Sequence, residues 1–190
     1  MAKLTIEERF EKGKCLSPEG IVSFPSVFIP SEYNGKKNYR MDLILQNEED
    51  VEVMRKYIEL AIDKKFGKKA PFIKHSPLRE PNKKPSGAPR DLEKYPEYKD
   101  RYYLTFTLDA SRNSRPLVLD QDKEEVFDQN DFYAGCTARV VFTPYAYDNG
   151  STGVNLYMKV IVKTAEGERI SGESTLTVDD VRNSEDLLED

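Results

Sequence analysis

Residues 136 to 163 read CTARVVFTPYAYDNGSTGVNLYMKVIVK, two alternating strands around an Asn-Gly turn. Nothing else in the chain restricts the fold as strongly. Side chains on a strand change face at every residue, and Asn-Gly supplies the positive φ that a tight hairpin needs. On the first strand Ala138, Val140 and Phe142 share one face, and Arg139, Val141, Thr143, Tyr145 and Tyr147 share the other. On the second, Val154, Leu156, Met158, Val160 and Val162 read as core, with Asn155, Tyr157, Lys159 and Lys163 outward. Pro144 interrupts the first strand, which marks an edge or a bulge and can reverse the side on which Tyr145 and Tyr147 emerge. A ribbon with one apolar face must find further strands to cover it.

The rest of the chain supplies them. GIVSFPSVFIP (20 to 30) and NYRMDLILQ (38 to 46) read as strands separated by the turn-like SEYNGKK, with Tyr39, Met41, Leu43 and Leu45 alternating against Arg40, Asp42 and Gln46. The period then changes. Val51, Met54, Ile58, Ala61 and Ile62 fall on one helical face, acids open the first turn, and lysines precede Gly67. Residues 68 to 100 form a long loop with six prolines and many lysines, of the kind that is functional or mobile. RYYLTFTLDA (101 to 110) restores alternation, with Tyr102, Leu104, Phe106 and Leu108 on one side and Arg101, Tyr103, Thr105 and Thr107 on the other. A short apolar LVL follows. Together these predict a mainly β, OB-fold-like curved five-stranded barrel with one helix. An immunoglobulin-like sandwich is the alternative, weakened by the helix and by the absence of Trp.

At 190 residues this is one domain, residues 1 to 178, with 68 to 100 as its long loop and 179 to 190 as a tail. No stretch is apolar and long enough for a membrane span or a signal peptide, so the cytoplasm is the expected location, the host's if the chain is phage-encoded. Cys15 and Cys136 are too few and too distant for a disulfide framework or a zinc site, and both are expected reduced. The net charge of −5 is unevenly distributed. DDVRNSEDLLED, residues 179 to 190, carries six acids and one Arg, whereas Lys64 to Arg115 carries fourteen Lys or Arg against six acids. A basic middle and an acidic tail point to a polyanionic partner and a competitor for it.

Enzyme chemistry finds little support. His75 is the single histidine and lies in the Pro/Lys loop, where an exposed, mobile residue is expected, and no nucleophile motif accompanies it. Asp120, Asp122, Glu124, Glu125 and Asp128 are the right donors for magnesium, but a charged turn between strands explains them better. No glycine-rich phosphate loop with Lys-Ser/Thr is present, and no cofactor is expected. The final hairpin is more informative. It puts tyrosines and cations on one surface, flat rings for bases and charges for phosphates, which is what a single-stranded nucleic acid requires. Cross-strand tyrosine pairs covering a half-buried sheet are the plainer alternative.

PEYKDRYYLTFTLDASRNSRPLVLD, then DFYAGCTARVVFTPYAYDNGSTGVNLYMKVIVK and GERI, resembles the family of tailed-phage single-stranded DNA-binding proteins over roughly residues 20 to 170. The resemblance rests on the Tyr98 to Ala110 strand, Ser111-Arg112, Ser114-Arg115-Pro116, Asp120, the Phe132 to Cys136 turn and the Tyr145 to Gly153 hairpin. It implies an OB fold that coats single-stranded DNA in phage replication, recombination or repair, without catalysis. An interaction-only OB domain of a phage accessory or structural complex, with no nucleic acid, is the alternative. One departure concerns the stretch after the turn, where the family runs GVA, small residues and LNNVQ. Here Gly153-Val154-Asn155-Leu156-Tyr157-Met158 stands instead, so Asn155 and Tyr157 take no role from the resemblance. The candidate DNA-binding residues are Arg101, Tyr103, Arg112, Arg115, Arg139, Tyr145, Tyr147, Tyr157 and Lys159, with Arg112 and Arg115 on phosphate and the tyrosines as stacking surfaces.

The tail lacks aromatics and is apolar only at Val181, Leu187 and Leu188, so it is expected to be disordered, and the family resemblance implies that it tethers phage or host replication proteins. Its charge suits it to compete with DNA for basic surface. Removing residues 179 to 190 is expected to tighten oligo-dT binding at low salt, with the gain fading as salt screens the competition. Equal affinities of full-length and truncated protein at low ionic strength would eliminate the competitor role.

Overall fold

The strands close on themselves because two of them are long enough, and bent enough, to reach both neighbours. In the computed structural model, which describes residues 3–112 and 114–170, the elements run α1 (Ile6–Glu11), β1 (Cys15–Leu16), β2 (Gly20–Tyr33), β3 (Lys36–Leu45), α2 (Glu48–Phe66), β4 (Leu78–Arg79), β5 (Tyr103–Asp109), β6 (Leu117–Leu119), β7 (Thr137–Asp148) and β8 (Thr152–Ala165). The sheet order is β1-β7-β2-β3-β5-β8-β6, and β7 also pairs with β8, so β7, β2, β3, β5 and β8 form a ring. The closure between β5 and β8 is short and parallel, through Phe106↔Leu156 and Thr107↔Tyr157. The result is an OB-like ring rather than a continuous barrel.

The interior is filled from every strand and from one helix. Val22, Val27, Met41, Leu43, Leu104, Phe106, Ala138, Val140, Phe142, Leu156, Met158 and Ile161 are buried together with Val51, Met54 and Tyr57 of α2. The helix starts at Asn47, whose side chain accepts from the Asp50 N–H, and stops at Gly67 with φ of 64°. Its apolar face is the one read from the sequence. Ahead of β1, Thr5 and Glu8 form a reciprocal capping box at the start of α1.

Bulges decide which residues of the long strands face inward. The β7–β8 register steps from Phe142↔Met158 to Val141↔Val160, so Lys159 is the extra residue and the alternation of β8 inverts beyond it. Ile161 is therefore fully buried while Val160 and Val162 are only partly so, correcting the reading of both valines as core. Lys163 is likewise turned inward: its ammonium donates to the Asp131 carbonyl at 2.6 Å and pairs with Glu166 at 2.5 Å. Pro144 causes no reversal. It pairs with Leu156 without a register step, and past Phe142 the side of β7 away from β8 has no strand partner among the described residues that would miss its N–H.

Residues 68 to 100 dock against the sheet at several points. His75, though exposed, is held by its backbone, donating to Thr152 O at 3.1 Å and accepting from Val154 N–H at 3.0 Å. Further on, β4 pairs with β5, and Tyr95 and Tyr98 pack over the outer side of β3 and β5 with Ile44, Tyr103, Ile21 and Leu92. At the far end of the ring, residues 167 to 170 dock on the Phe132 to Cys136 turn. Ile170 N–H donates to Ala134 O, and a Cβ at Gly135, whose φ is +110°, would lie 1.9 Å from Glu168 O. The acidic tail lies outside the described residues.

Ile161→Ala is expected to cost about 2 to 5 kcal/mol in denaturant unfolding, and Val162→Ala about 1 kcal/mol or less. Equal costs would contradict the bulge at Lys159.

Candidate nucleic-acid interface

Cross-strand register builds one face of the ring residue by residue. Arg40 of β3 stands opposite Thr107 of β5, Thr107 beside Tyr157 of β8, and Tyr157 opposite Thr143 of β7. The adjacent positions hold Asp42 opposite Thr105 and Tyr145 opposite Asn155, and the next holds Tyr147 opposite Gly153. All point away from the core, since Met41, Phe106, Leu156 and Phe142 point into it.

Two of the tyrosines form a pair. Tyr145 is 49% exposed, and its ring centroid lies 6.0 Å from that of Tyr157 at 43°. The Tyr157 hydroxyl accepts from the Asn155 amide at 3.3 Å, which fixes the ring's long axis. Tyr147 lies across Gly153, where a Cβ would come within 2.5 Å of its ring. Gly153 is therefore the seat of Tyr147, and a side chain there would push the ring off the sheet.

Two further cations stand on this side of the ring that were not among the candidates named from the sequence. Arg40 lies 3.9 Å from Asp42 with 43% of its side chain exposed. Arg79 reaches over from β4, its Nε 3.5 Å from the Thr105 hydroxyl. Burial presses the Arg79 guanidinium below its ordinary value, Arg40 adds a like charge, and Tyr103, Asp42 and Tyr147 oppose the shift. Beneath both arginines, Asp42 is buried, accepting from the Tyr98 hydroxyl at 2.9 Å and the Thr105 hydroxyl at 3.1 Å. Burial raises its carboxyl above the usual range, against the pull of Arg40, those two donors and Arg90. One buried carboxylate thus sits among Arg40, Arg79 and Arg90, leaving an excess of positive charge on this side of the ring. Alternation with Asp42 was the signal for Arg40. Arg79 had none, because nothing in a Pro/Lys-rich stretch reports where it docks.

The residues named from the sequence are not all gathered here. Tyr145, Tyr147 and Tyr157 are, and Lys159 is exposed two positions along β8 from Tyr157. Tyr103 is not a surface residue: it is fully buried, its ring 4.9 Å from Tyr98, its hydroxyl donating to Lys83 O and accepting from Arg90. The docked loop covers the face on which it was placed. Arg101 is exposed at the approach to β5, away from Thr107. Arg112 is exposed just past the end of β5, and Arg115 pairs with Glu125 at 2.6 Å beside the Phe127 ring. Arg139 lines a separate groove with Ser17, Glu19, Asn47 and Asp50 at the start of α2. Among the described residues no three His, Cys, Asp or Glu side chains converge to hold a metal, and Asp120 accepts from the amides of its own turn. Nor is any described helix long and apolar enough to cross a membrane. Both cysteines are buried and free, with burial pushing the Cys15 thiol up to about 11.

The architecture has known counterparts. Residues 20–189 match the family described as Enterobacter phage Enc34, ssDNA-binding protein. Protein p50 of Acyrthosiphon pisum secondary endosymbiont phage 1 is 26% identical over 165 residues, 84% of this chain and 87% of that protein. Among solved structures, the single-stranded DNA-binding protein from bacteriophage Enc34 in complex with ssDNA has a TM-score of 0.70 at 18% identity, over 88% of this chain and 96% of that one. The single-stranded DNA-binding protein gp2.5 encoded by bacteriophage T7 has a TM-score of 0.56 at 14% identity, over 90% and 94%. The structural likenesses are of fold, and the family match extends from the first strand of the ring into the tail. The chain belongs to the family of the Enterobacter phage Enc34 single-stranded DNA-binding protein.

Proposed function

We infer that this chain binds single-stranded DNA without sequence preference and coats it during phage DNA replication, recombination or repair. The observation that carries the reading is the Tyr145–Tyr157 pair, with Tyr145 exposed and Tyr157 half-buried, standing on the same face as Arg40 and Arg79. Rings of this exposure offer π-faces to any base, and an arginine excess around a single buried carboxylate is relieved by an incoming phosphate. Tyr147 extends the platform toward the hairpin turn and Lys159 extends the charge along β8. Arg112 and Arg115 serve as outlying phosphate contacts. The acidic tail acts as competitor and tether, in keeping with its charge. None of these roles requires a reacting group, and selectivity for single strands follows because bases stacked within a duplex cannot reach the rings.

Tyr145→Ala and Tyr157→Ala are each expected to weaken oligo-dT binding by about tenfold, with Phe at either position restoring most of it. Unchanged affinity in both folded Ala variants would leave the interaction-only reading. Arg40→Ala with Arg79→Ala should lower the slope of log affinity against log salt by about 1.4, at about 0.7 per lost phosphate contact. Arg112→Ala with Arg115→Ala should lower it by no more than about 0.7, because Arg115 is already engaged by Glu125. A slope indifferent to the first pair would detach Arg40 and Arg79 from the site.

A further inference from the structure

The charged and aromatic surface continues past Arg40 onto β2. There the strand bulges between Ser23, which pairs with Asp42, and Ser26, which pairs with Arg40, and Phe24 lies in the bulge. Phe24 has φ of +47°, a left-handed conformation that a bulky residue rarely adopts, and it precedes Pro25, where extended backbone is the rule. The strain does not serve burial, since Phe24 remains 45% exposed while Val22 and Val27 on either side fill the core. Its ring lies 5.4 Å from that of Tyr95 and 6.3 Å from that of Tyr98. Lys94 sits 5.4 Å and Arg90 5.9 Å from the Tyr95 ring centroid. A tilted ring pair with Phe24 exposed, Tyr95 half-buried and cations beside it thus stands on the opposite side of Arg40 from the tilted Tyr145–Tyr157 pair.

We propose that Phe24 and Tyr95 form a second base-binding bay for the same DNA strand, with Arg40 holding the phosphate between the two platforms and Lys94 the phosphate beyond. This rests on the single-stranded DNA reading above. β2 is separated from β8 by β3 and β5, three strand spacings or about 14 Å. A strand running across the sheet reaches from one ring pair to the other over a few nucleotides. The strained backbone at Phe24 is what turns its ring outward toward that path, and the Tyr98 hydroxyl on Asp42 anchors the loop that presents Tyr95.

Phe24→Gly separates this role from a structural one, because glycine takes a positive φ without penalty. Full-length wild type, Phe24→Gly and Tyr145→Ala are compared for oligo-dT affinity and Tm, together with photocrosslinking of oligo-dT carrying 5-iodouracil at successive positions and peptide mapping of the adducts. Phe24→Gly is expected to bind about tenfold more weakly with Tm unchanged or raised. Adducts are expected on Phe24 or Tyr95 from a base a few nucleotides away from the one that labels Tyr145 or Tyr157. Wild-type affinity of Phe24→Gly, a clear fall in its Tm, or adducts confined to Tyr145 and Tyr157 would each overturn the bay while leaving the first platform standing. Failure of the wild type to bind oligo-dT would overturn both.

Discussion

A single buried carboxylate organises the outer side of this ring. Asp42 can stay inside only because the Tyr98 and Thr105 hydroxyls donate to it and Arg40 lies beside it. Each of those contacts positions something else. Tyr98 belongs to the long loop, so its hydroxyl ties residues 78 to 100 to the sheet. Thr105 carries the contact from Arg79, and Arg40 is the cation at the centre of the exposed face. Replacing such a group by an unpaired polar one costs more than its bonds contribute in place, since the partners are left buried and unsatisfied. The loop and the arginine cluster are therefore coupled through one residue.

Curvature is the second constraint. A ring of five strands cannot be closed by uniformly alternating strands, and the irregular positions are where β2 and β8 turn. Lys159 is the inserted residue on β8, and from there the inward set changes from Met158 to Ile161 and Lys163. In β2 the insertion carries Phe24 and Pro25, between the core residues Val22 and Val27. Both bulges put a cation or an aromatic ring on the outside at the point of bending. The geometry that closes the ring thus also furnishes its surface.

Much of this was legible from residues alone. The strands at 20 to 30, 38 to 46, 101 to 110 and 136 to 163, the helix between them, and the Tyr145, Tyr147 and Tyr157 face of the last hairpin all follow from period and turn chemistry, which act over a few residues. The buried face of α2, with Val51, Met54, Ile58 and Ala61, was read correctly for the same reason. Tyr103 was misplaced because alternation distinguishes two faces of a strand and says nothing of what later covers them. Val160 and Val162 were misplaced because a bulge leaves no mark when every residue around it is apolar or long.

What the sequence by itself determined was which segments are strands or helix, which hairpin bears the tyrosines, and the family to which the chain belongs, since these depend on local pattern and motif. Only the tertiary structure decided which cations meet those rings. Arg40 and Arg79 are distant in sequence from Tyr157 and from each other, and they share a face with it because β3, β4, β5 and β8 are adjacent in the sheet and Asp42 draws positive charge toward it. Arg139, in the same strand as Tyr145, stands six residues away along β7 and lines a separate groove at the start of α2. Proximity along a chain is set by covalent bonds, but a binding surface is set by strand order and by where buried charge must be balanced.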